Sequence, residues 1–363
     1  MKIALLSYST KPRGGVVHTL ALAEALAATG QDVTVWTLGR GGDSGFFRPV
    51  DPAVRLRIVP FPDGPDGETV GERIRRSIAV LGEAFEPFTA RYDIVHAQDC
   101  ISANAVGGRC IRTVHHLDHF TTPELAACHE LAIVEPYAHI CVSAAVSTEL
   151  ADGWGIDAAV IPNGVAFERF AGTDSADRAN WRSRLGRYVL TVGGIEPRKG
   201  SLDLLEAYVY LRSAHPDVRL VIAGGETLFD YRDYRVRWEA RAAELGVEPV
   251  VLGEVAESDL PSLVAAADAF AFPSLKEGFG LAAMEALAAG VPLVVRDLPV
   301  LREVFGATAR FATTPQDLAV ELGRALTDDD PARRTAGRDL AARHTWETAA
   351  RNHCDFYRTL TSQ

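Results

Sequence analysis

Short β-rich runs alternate with longer helical patterns through most of this 363-residue chain, and they do so in two successive series. In the first, strands are expected at 2–7, 33–37, 56–60, 94–97, 111–115 and 139–142, with a helix over 16–28 that stops at Gly30. In the second, strands are expected at 188–192, 219–223, 249–252, 269–272 and 292–295, and helices at 202–213, 234–245, 259–266, 281–289 and 315–326. Such alternation builds βαβ units around parallel sheets. The length suits two domains of this kind and is too great for one ordinary core. After Asn163-Gly164 the composition turns polar, through Gly172-Thr173-Asp174-Ser175, which marks a domain boundary. Two doubly wound sheets in series predict a ligand cleft between them, at the carboxyl ends of their strands. A last helical pattern, 346–360, has no strand after it.

Bulk composition narrows the classes. Hydrophobic residues make up 47% and charged residues 23%, the range of a soluble globular protein. A net charge of −11 argues against nucleic acid as a partner. The five cysteines, Cys100, Cys110, Cys128, Cys141 and Cys354, are odd in number and form no Cys-x-x-Cys pair, so reduced thiols and a cytoplasmic location are expected. The first apolar stretch, 3–6, is too short for a signal peptide, and no run approaches the roughly 18 apolar residues of a membrane span. In segment 72–81 Arg73, Arg75 and Arg76 border an apolar face, but Glu68, Glu72, Glu83 and Glu86 cancel their charge. That reads as an amphipathic surface helix, with at most weak peripheral contact with a membrane.

The densest chemistry lies in Ser274–Gly290, SLKEGFGLAAMEALAAG. Glu277 opens a glycine-flanked turn of Glu277, Gly278, Phe279 and Gly280. A helix follows from Leu281, in which every residue except Glu285 is apolar. A helix apolar all round is buried on all sides, and a carboxylate within it must find partners. The helix start offers free N–H groups and partial positive charge to an anion. The segment therefore places an anion seat between two carboxylates able to accept from hydroxyls, which suits a nucleotide joined to a sugar through a diphosphate. The plainer alternative is a capping Glu277 and a satisfied interior Glu285.

Other constellations are weaker alone. Gly14-Gly15, between the first strand and the first helix, permits close approach of another molecule but lacks the G-x-G-x-x-G dinucleotide fingerprint. His115, His116, Asp118 and His119 end a strand where residues face a cleft, yet without a recognised zinc spacing; a histidine that hydrogen-bonds substrate is the better reading, and no metal is expected. His96 is a further candidate of that kind, or a satisfied core residue. Gly193-Gly194 and Arg198-Lys199-Gly200 occupy the first strand-to-helix loop of the second series, where a planar fork and a point charge would suit a diphosphate. The loops 223–226 and 253–255, with Gly225, Glu226 and Val255, are placed to read a nucleobase edge through backbone groups.

Together these residues resemble the family-4 class of retaining glycosyltransferases, which have the GT-B fold. The resemblance spans nearly the whole chain: Gly14-Gly15, His115, Pro162-Asn163-Gly164, the Arg-Lys-Gly loop at 198–200, Pro273-Ser274 before the E-x7-E pair Glu277 and Glu285, and Trp346 opening the last helix. It implies two Rossmann-like domains, 1–170 on the acceptor side and 171–343 binding the nucleotide sugar, with 344–363 crossing back to pack on the first. It further implies His115 and Glu277 as catalytic candidates, Glu277 on donor-sugar hydroxyls and His115 near the reacting sugar. Glu285 would hold ribose hydroxyls. Gly278, Phe279, Gly280 and Leu281 would seat the diphosphate, with Gly194, Arg198 and Lys199 beside it and Gly14 and Gly15 approaching the donor. Many members of the class carry arginine where this chain has Gly194, so Arg198 is expected to take over part of that contact.

The expected activity is transfer of a hexosyl group from a UDP- or GDP-sugar to an unidentified acceptor hydroxyl, with retention, by same-face attack, and with no metal or other cofactor. A non-catalytic sugar-nucleotide or glycan-binding protein of the same fold is the alternative; it would be expected to lose Glu277, Arg198 or Lys199, and all three are present. A nicotinamide oxidoreductase lacks its glycine fingerprint here. Neither the donor base, the acceptor nor the oligomeric state is named by the sequence.

Overall fold

The structure is a computed structural model that describes residues 1–118, 122–225 and 231–361. His119 and Glu226 lie outside the described residues. The chain forms two compact units, residues 1–164 with 346–363, and 165–345.

The first unit contains β1 (Lys2–Leu6), β2 (Asp32–Arg40), β3 (Arg55–Phe61), β4 (Ile94–Ala97), β5 (Ile111–Val114), β6 (Ala138–Cys141) and β7 (Ala159–Val160). Its helices are α1 (Gly14–Ala28), α2 (Val70–Phe85), α3 (Cys100–Ala105), α4 (Pro123–Val134) and α5 (Ala144–Trp154). The second unit holds β8 (Arg187–Val192), β9 (Val218–Ala223), β10 (Val250–Gly253), β11 (Ala269–Phe272), β12 (Leu293–Arg296) and β13 (Arg310–Ala312). Its helices are α6 (Phe167–Ala171), α7 (Ser175–Leu185), α8 (Ser201–Ala214), α9 (Arg232–Glu244), α10 (Leu260–Ala265), α11 (Leu281–Ala288), α12 (Pro299–Phe305), α13 (Pro315–Thr327) and α14 (Pro331–Arg343). The final helix, α15 (Trp346–Thr361), returns to the first unit and packs on α1.

Every strand pair is parallel, in the order β3-β2-β1-β4-β5-β6-β7 for the first sheet and β10-β9-β8-β11-β12-β13 for the second. Central strands covered on both faces need apolar side chains at successive positions. In β1, Ile3 and Leu5 join Leu22 and Leu26 of α1 and Tyr357 of α15 on one face. Ala4 and Leu6 join Trp36, Phe85 of α2 and Ala132 of α4 on the other. The second sheet likewise buries Val189, Leu220, Ile222, Ala269 and Val294 under α8, α9 and α13. The order reverses at β1/β4 and at β8/β11, so the strand-to-helix loops at both switch points gather at the carboxyl ends of the sheets, where such folds bind ligands.

Five segments depart from the sequence expectation. The polar stretch after Asn163-Gly164 carries α6 and α7, and α12 and α14 form where no helix is expected. β7 and β13 are two- and three-residue edge strands, too short to show a period.

Candidate active site

In the second unit, the loop after β8 and the loop after β11 are drawn together at Gly200. Its φ of +65° is left-handed, and a Cβ there would lie 2.2 Å from the Pro273 carbonyl oxygen. Leu275 N–H then donates to the Arg198 carbonyl at 2.7 Å. This contact sets both cations of the first loop against the first carboxylate of the second. Lys199 Nζ lies 3.0 Å from Glu277 Oε2, and Arg198 Nη1 lies 3.4 Å from the same oxygen and 3.2 Å from the Lys276 carbonyl. All three side chains are largely shielded, with Glu277 only 13% exposed, so the pairing is stronger than a surface ion pair. Lys199 Nζ also sits 5.2 Å from the Phe272 ring centroid. A pocket beside the triad is lined by Gly193, Gly194, Lys199, Phe272, Pro273 and Ser274. Ser274 Oγ is buried there without a hydrogen-bond partner among the described residues.

Gly280 caps α11 with φ +94°, a conformation L side chains rarely adopt, and the Phe305 and Phe272 rings leave 3.2–3.3 Å for an added Cβ. No side chain caps this helix, so its first-turn N–H groups have no partner within the helix. Gly278, Phe279 and Gly280 are buried, whereas Leu281 is half-buried.

Glu285 lies one turn into α11 and is half-buried. Burial, reinforced by the Glu257 carboxylate and opposed by Arg169, pushes its carboxyl up to about 8. Arg169 of α6 is itself engaged by Glu257, and the Glu285 carboxylate receives no hydrogen bond from the described residues. The two glutamates therefore differ: Glu277 is neutralised by two cations, and Glu285 has no compensating donor. Sequence reasoning missed Arg169 and Glu257, which are 88 positions apart and carry no local signature. It also missed Arg296, which braces the loop after β11 by donating to the Pro273 carbonyl at 3.3 Å, to Thr313 O at 2.6 Å and to Asp203 of α8. The loops after β9 and β10 do meet. Gly224 N–H donates to Gly253 O at 2.8 Å, and a Cβ on Gly225 would lie 2.5 Å from Glu254 Cγ, beside Val255.

In the first unit, His115 follows β5 with its Nε2 buried and without a partner among the described residues. A Cβ on Gly15 would stand 3.9 Å from this ring edge, and Gly14 opens α1 next to it. His18 meets His115 edge-on at 4.7 Å between centroids, with its Nδ1 2.9 Å from Asn163 Oδ1. Burial, with the nearby Arg112 and then His116 and His96, holds the His115 imidazole well below its ordinary value and hence neutral. His116 is instead tied to Asp118 at 2.8 Å. Of the two, His115 has the uncommitted ring. His96 is the satisfied core residue: Tyr357 OH lies 2.7 Å from Nδ1 and Thr113 Oγ1 lies 2.6 Å from Nε2.

A second hollow at the opposite edge of the second sheet, around Gly290 and Arg310, holds charges already matched: Arg310 with Asp328 at 2.8 Å and Arg333 with Asp330 at 3.0 Å. No helix among the described residues is long and apolar enough to cross a membrane.

Residues 12–169 match the model described as Glycosyltransferase Family 4, and residues 176–341 match Glycosyl transferases group 1. The chain is 29% identical to the phosphatidyl-myo-inositol mannosyltransferase of Mycolicibacterium smegmatis, over 99% of this chain and 94% of that one. It is 27% identical to the D-inositol 3-phosphate glycosyltransferase of Corynebacterium urealyticum, over 99% and 96%. Among solved structures, sucrose-phosphate synthase from Thermosynechococcus elongatus superposes with a TM-score of 0.81 at 22% identity, covering 99% of both chains. Anabaena HepE in complex with UDP and glucose gives 0.74 at 21%, covering 100% of both.

Proposed function

Because the chain belongs to the family-4 glycosyltransferases, we propose that it transfers a hexosyl group, with retention and without a metal ion, from a UDP- or GDP-sugar to an acceptor hydroxyl. The observation that carries this reading is the Glu277–Lys199–Arg198 cluster at the start of α11. An incoming diphosphate would exchange with Glu277 for the two cations and take the free N–H groups at Gly280 and Leu281. As the glycosidic bond breaks, negative charge grows on the leaving diphosphate, and fixed cations stabilise that charge without reorganising. Glu277, released from its ion pairs, would accept from donor-sugar hydroxyls. Glu285 would receive the ribose hydroxyls, and the 225 and 255 loops would meet the base. Attack by the acceptor on the same face needs no protein nucleophile, and none is assigned. In the first unit the neutral His115, with its Nε2 open, would be a hydrogen-bonding group for substrate. The solution of HepE with UDP-glucose and with UDP favours a uridine donor, and the mannosyltransferase relatives favour a hexosyl group.

The test is a thermal-shift screen against UDP, GDP, ADP and their sugar conjugates, with and without EDTA, followed by turnover with the donor found. A ligand that binds only the folded state raises its melting temperature. Stabilisation by one base family, unchanged by EDTA and lost in Lys199→Ala, supports the reading. No shift with any nucleotide, together with no release of sugar from any donor, would overturn it in favour of a non-catalytic protein of the same fold.

A further inference from the structure

Resting on that reading and on the family resemblance, which implies an acceptor-side first unit, we propose that the unit recognises an anionic acceptor, one bearing a phosphate, through Arg40. This residue ends β2, at the carboxyl edge of the first sheet. Its guanidinium is built into the fold: Nε donates to Tyr8 O at 3.1 Å and Nη2 donates to Ser77 Oγ of α2 at 2.8 Å. The rings of Phe61 and Tyr8 lie 4.9 Å and 5.4 Å from Cζ. Nη1 donates to none of the described residues, and no carboxylate among them pairs with Arg40.

Its neighbours are different. Arg76 is held by Glu68 at 2.6 Å, Arg75 by Glu124 at 3.0 Å and Lys11 by Asp43 at 3.2 Å. Arg40 alone of this group is a half-buried cation without an ion-pair partner, and burying such a charge is costly. Burial first, with Arg73 and Arg13 adding like charge, lowers its guanidinium to about 10, opposed by Tyr8 and Asp99. Asp99 acts on Arg40 from a distance but forms no ion pair with it, and its carboxylate accepts from Ser102 N–H at 2.8 Å and Tyr8 N–H at 3.0 Å. The first turn of α1, beginning directly after Arg13, carries no acidic residue and no side-chain cap. Arg73 and Arg13 lie near enough to add like charge at Arg40, whose Nη1 is the edge without a described acceptor. A phosphate is the complement: it neutralises the charge and accepts from the planar fork.

The experiment uses the full chain with UDP present at saturation, so that the phosphate site of the second unit is filled. Phenyl phosphate is titrated calorimetrically into wild type, Arg40→Gln, Arg40→Lys and a surface control, Arg55→Gln. The expected result is binding to wild type, weakened about tenfold or more in Arg40→Gln and less in Arg40→Lys, with UDP affinity unchanged throughout. Arg40→Gln gives up the hydrogen bonds to Tyr8 O and Ser77 Oγ along with the charge; if that variant does not fold, Arg40→Lys and Arg73→Gln carry the comparison. Absence of phenyl phosphate binding, or equal weakening in Arg55→Gln, overturns the proposal. Failure of UDP to bind would instead overturn the donor reading, while the phosphate titration still reports on Arg40. Phosphatidylcholine vesicles with and without phosphatidate separate the sources. Arg40-dependent co-sedimentation with phosphatidate identifies a lipid phosphate, and Arg40-dependent binding of phenyl phosphate alone identifies a soluble one.

Discussion

Glu285→Gln tests whether the fold holds this carboxyl without compensation, through the pH dependence of stability. In the folded chain the carboxyl is pushed from 4.5 to about 8, first by burial and then by Glu257. Between these values the unfolded chain releases the proton and the folded chain keeps it, so wild-type stability falls as pH rises through this window. At about 1.4 kcal/mol per pH unit the full effect above pH 8 is at most about 5 kcal/mol. Because the side chain is only half-buried and water screens it, about 1–3 kcal/mol is expected. Glutamine carries no charge at any pH. The variant should therefore match wild type near pH 4.5 and exceed it progressively up to pH 8. For a unit of this size, roughly 2–4 °C accompanies each kcal/mol. Calorimetric melting at half-unit pH steps, following the transition of the second unit, reads the difference. A gap independent of pH, or one that widens toward acid, would refute the reasoning. The same linkage predicts that nucleotide binding at pH 7 releases protons if ribose hydroxyls favour the ionised carboxylate. Titration calorimetry in two buffers of different ionisation enthalpy measures that release.

Three further outcomes are expected. Lys199→Ala removes one charge-assisted contact and should weaken UDP or GDP binding about 10- to 100-fold, measured by titration, with little loss of stability because Arg198 still faces Glu277. Gly280→Ala forces a side chain into φ +94° between Phe272 and Phe305 and should destabilise the second unit by about 1–3 kcal/mol in urea unfolding; an unchanged midpoint would contradict the strained turn. The buried His18 and His96 and the half-buried His115 are held well below their ordinary value of 6.5, mainly by burial, so the unfolded chain binds more protons below that pH. Stability of the first unit should thus be lost as pH falls from 6.5, opposite in sign to the Glu285 effect, and melts at pH 5 and 7 should show the two units shifting in opposite directions.

The sequence made legible what is local. Residues 94–97 and 269–272 are uninterrupted apolar or β-forming runs, and they are β4 and β11 with the same limits. Residues 175–185 and 331–343 were not legible as helices because their patterns, SADRANWRSRL and PARRTAGRDLAAR, have too few apolar positions to show a period. α7 is held instead by Trp181 and Leu185 buried against its own unit, and α14 by packing on α11. At the site, the E-x7-E spacing and the Arg-Lys pair are each contained in one loop or one turn, so residue type alone exposed them. Partners separated by long stretches of chain, such as Arg296 with Pro273 and Asp203 or Arg40 with Tyr8 and Ser77, are created only when the sheet order brings strand ends together.

That distinction matters most for charge. In the second unit the proposed donor site begins with its cations satisfied by Glu277 and one carboxylate, Glu285, without a hydrogen-bond donor among the described residues. In the first, the unsatisfied group is a cation, Arg40. A fold that merely tolerated these groups would gain stability by substituting neutral ones, since an uncompensated buried charge costs more than a hydrophobic replacement. In the proposed bound state each would be relieved by a group of matching chemistry: hydroxyls donating to Glu285, an anion accepting from Arg40. The two neutralising variants, Glu285→Gln and Arg40→Gln, should therefore share one signature. Each loses the stabilisation its own ligand confers while keeping that of the other. Cross-loss, in which Arg40→Gln abolishes the nucleotide shift or Glu285→Gln abolishes the phosphate shift, would show that the two charges serve one site and not two.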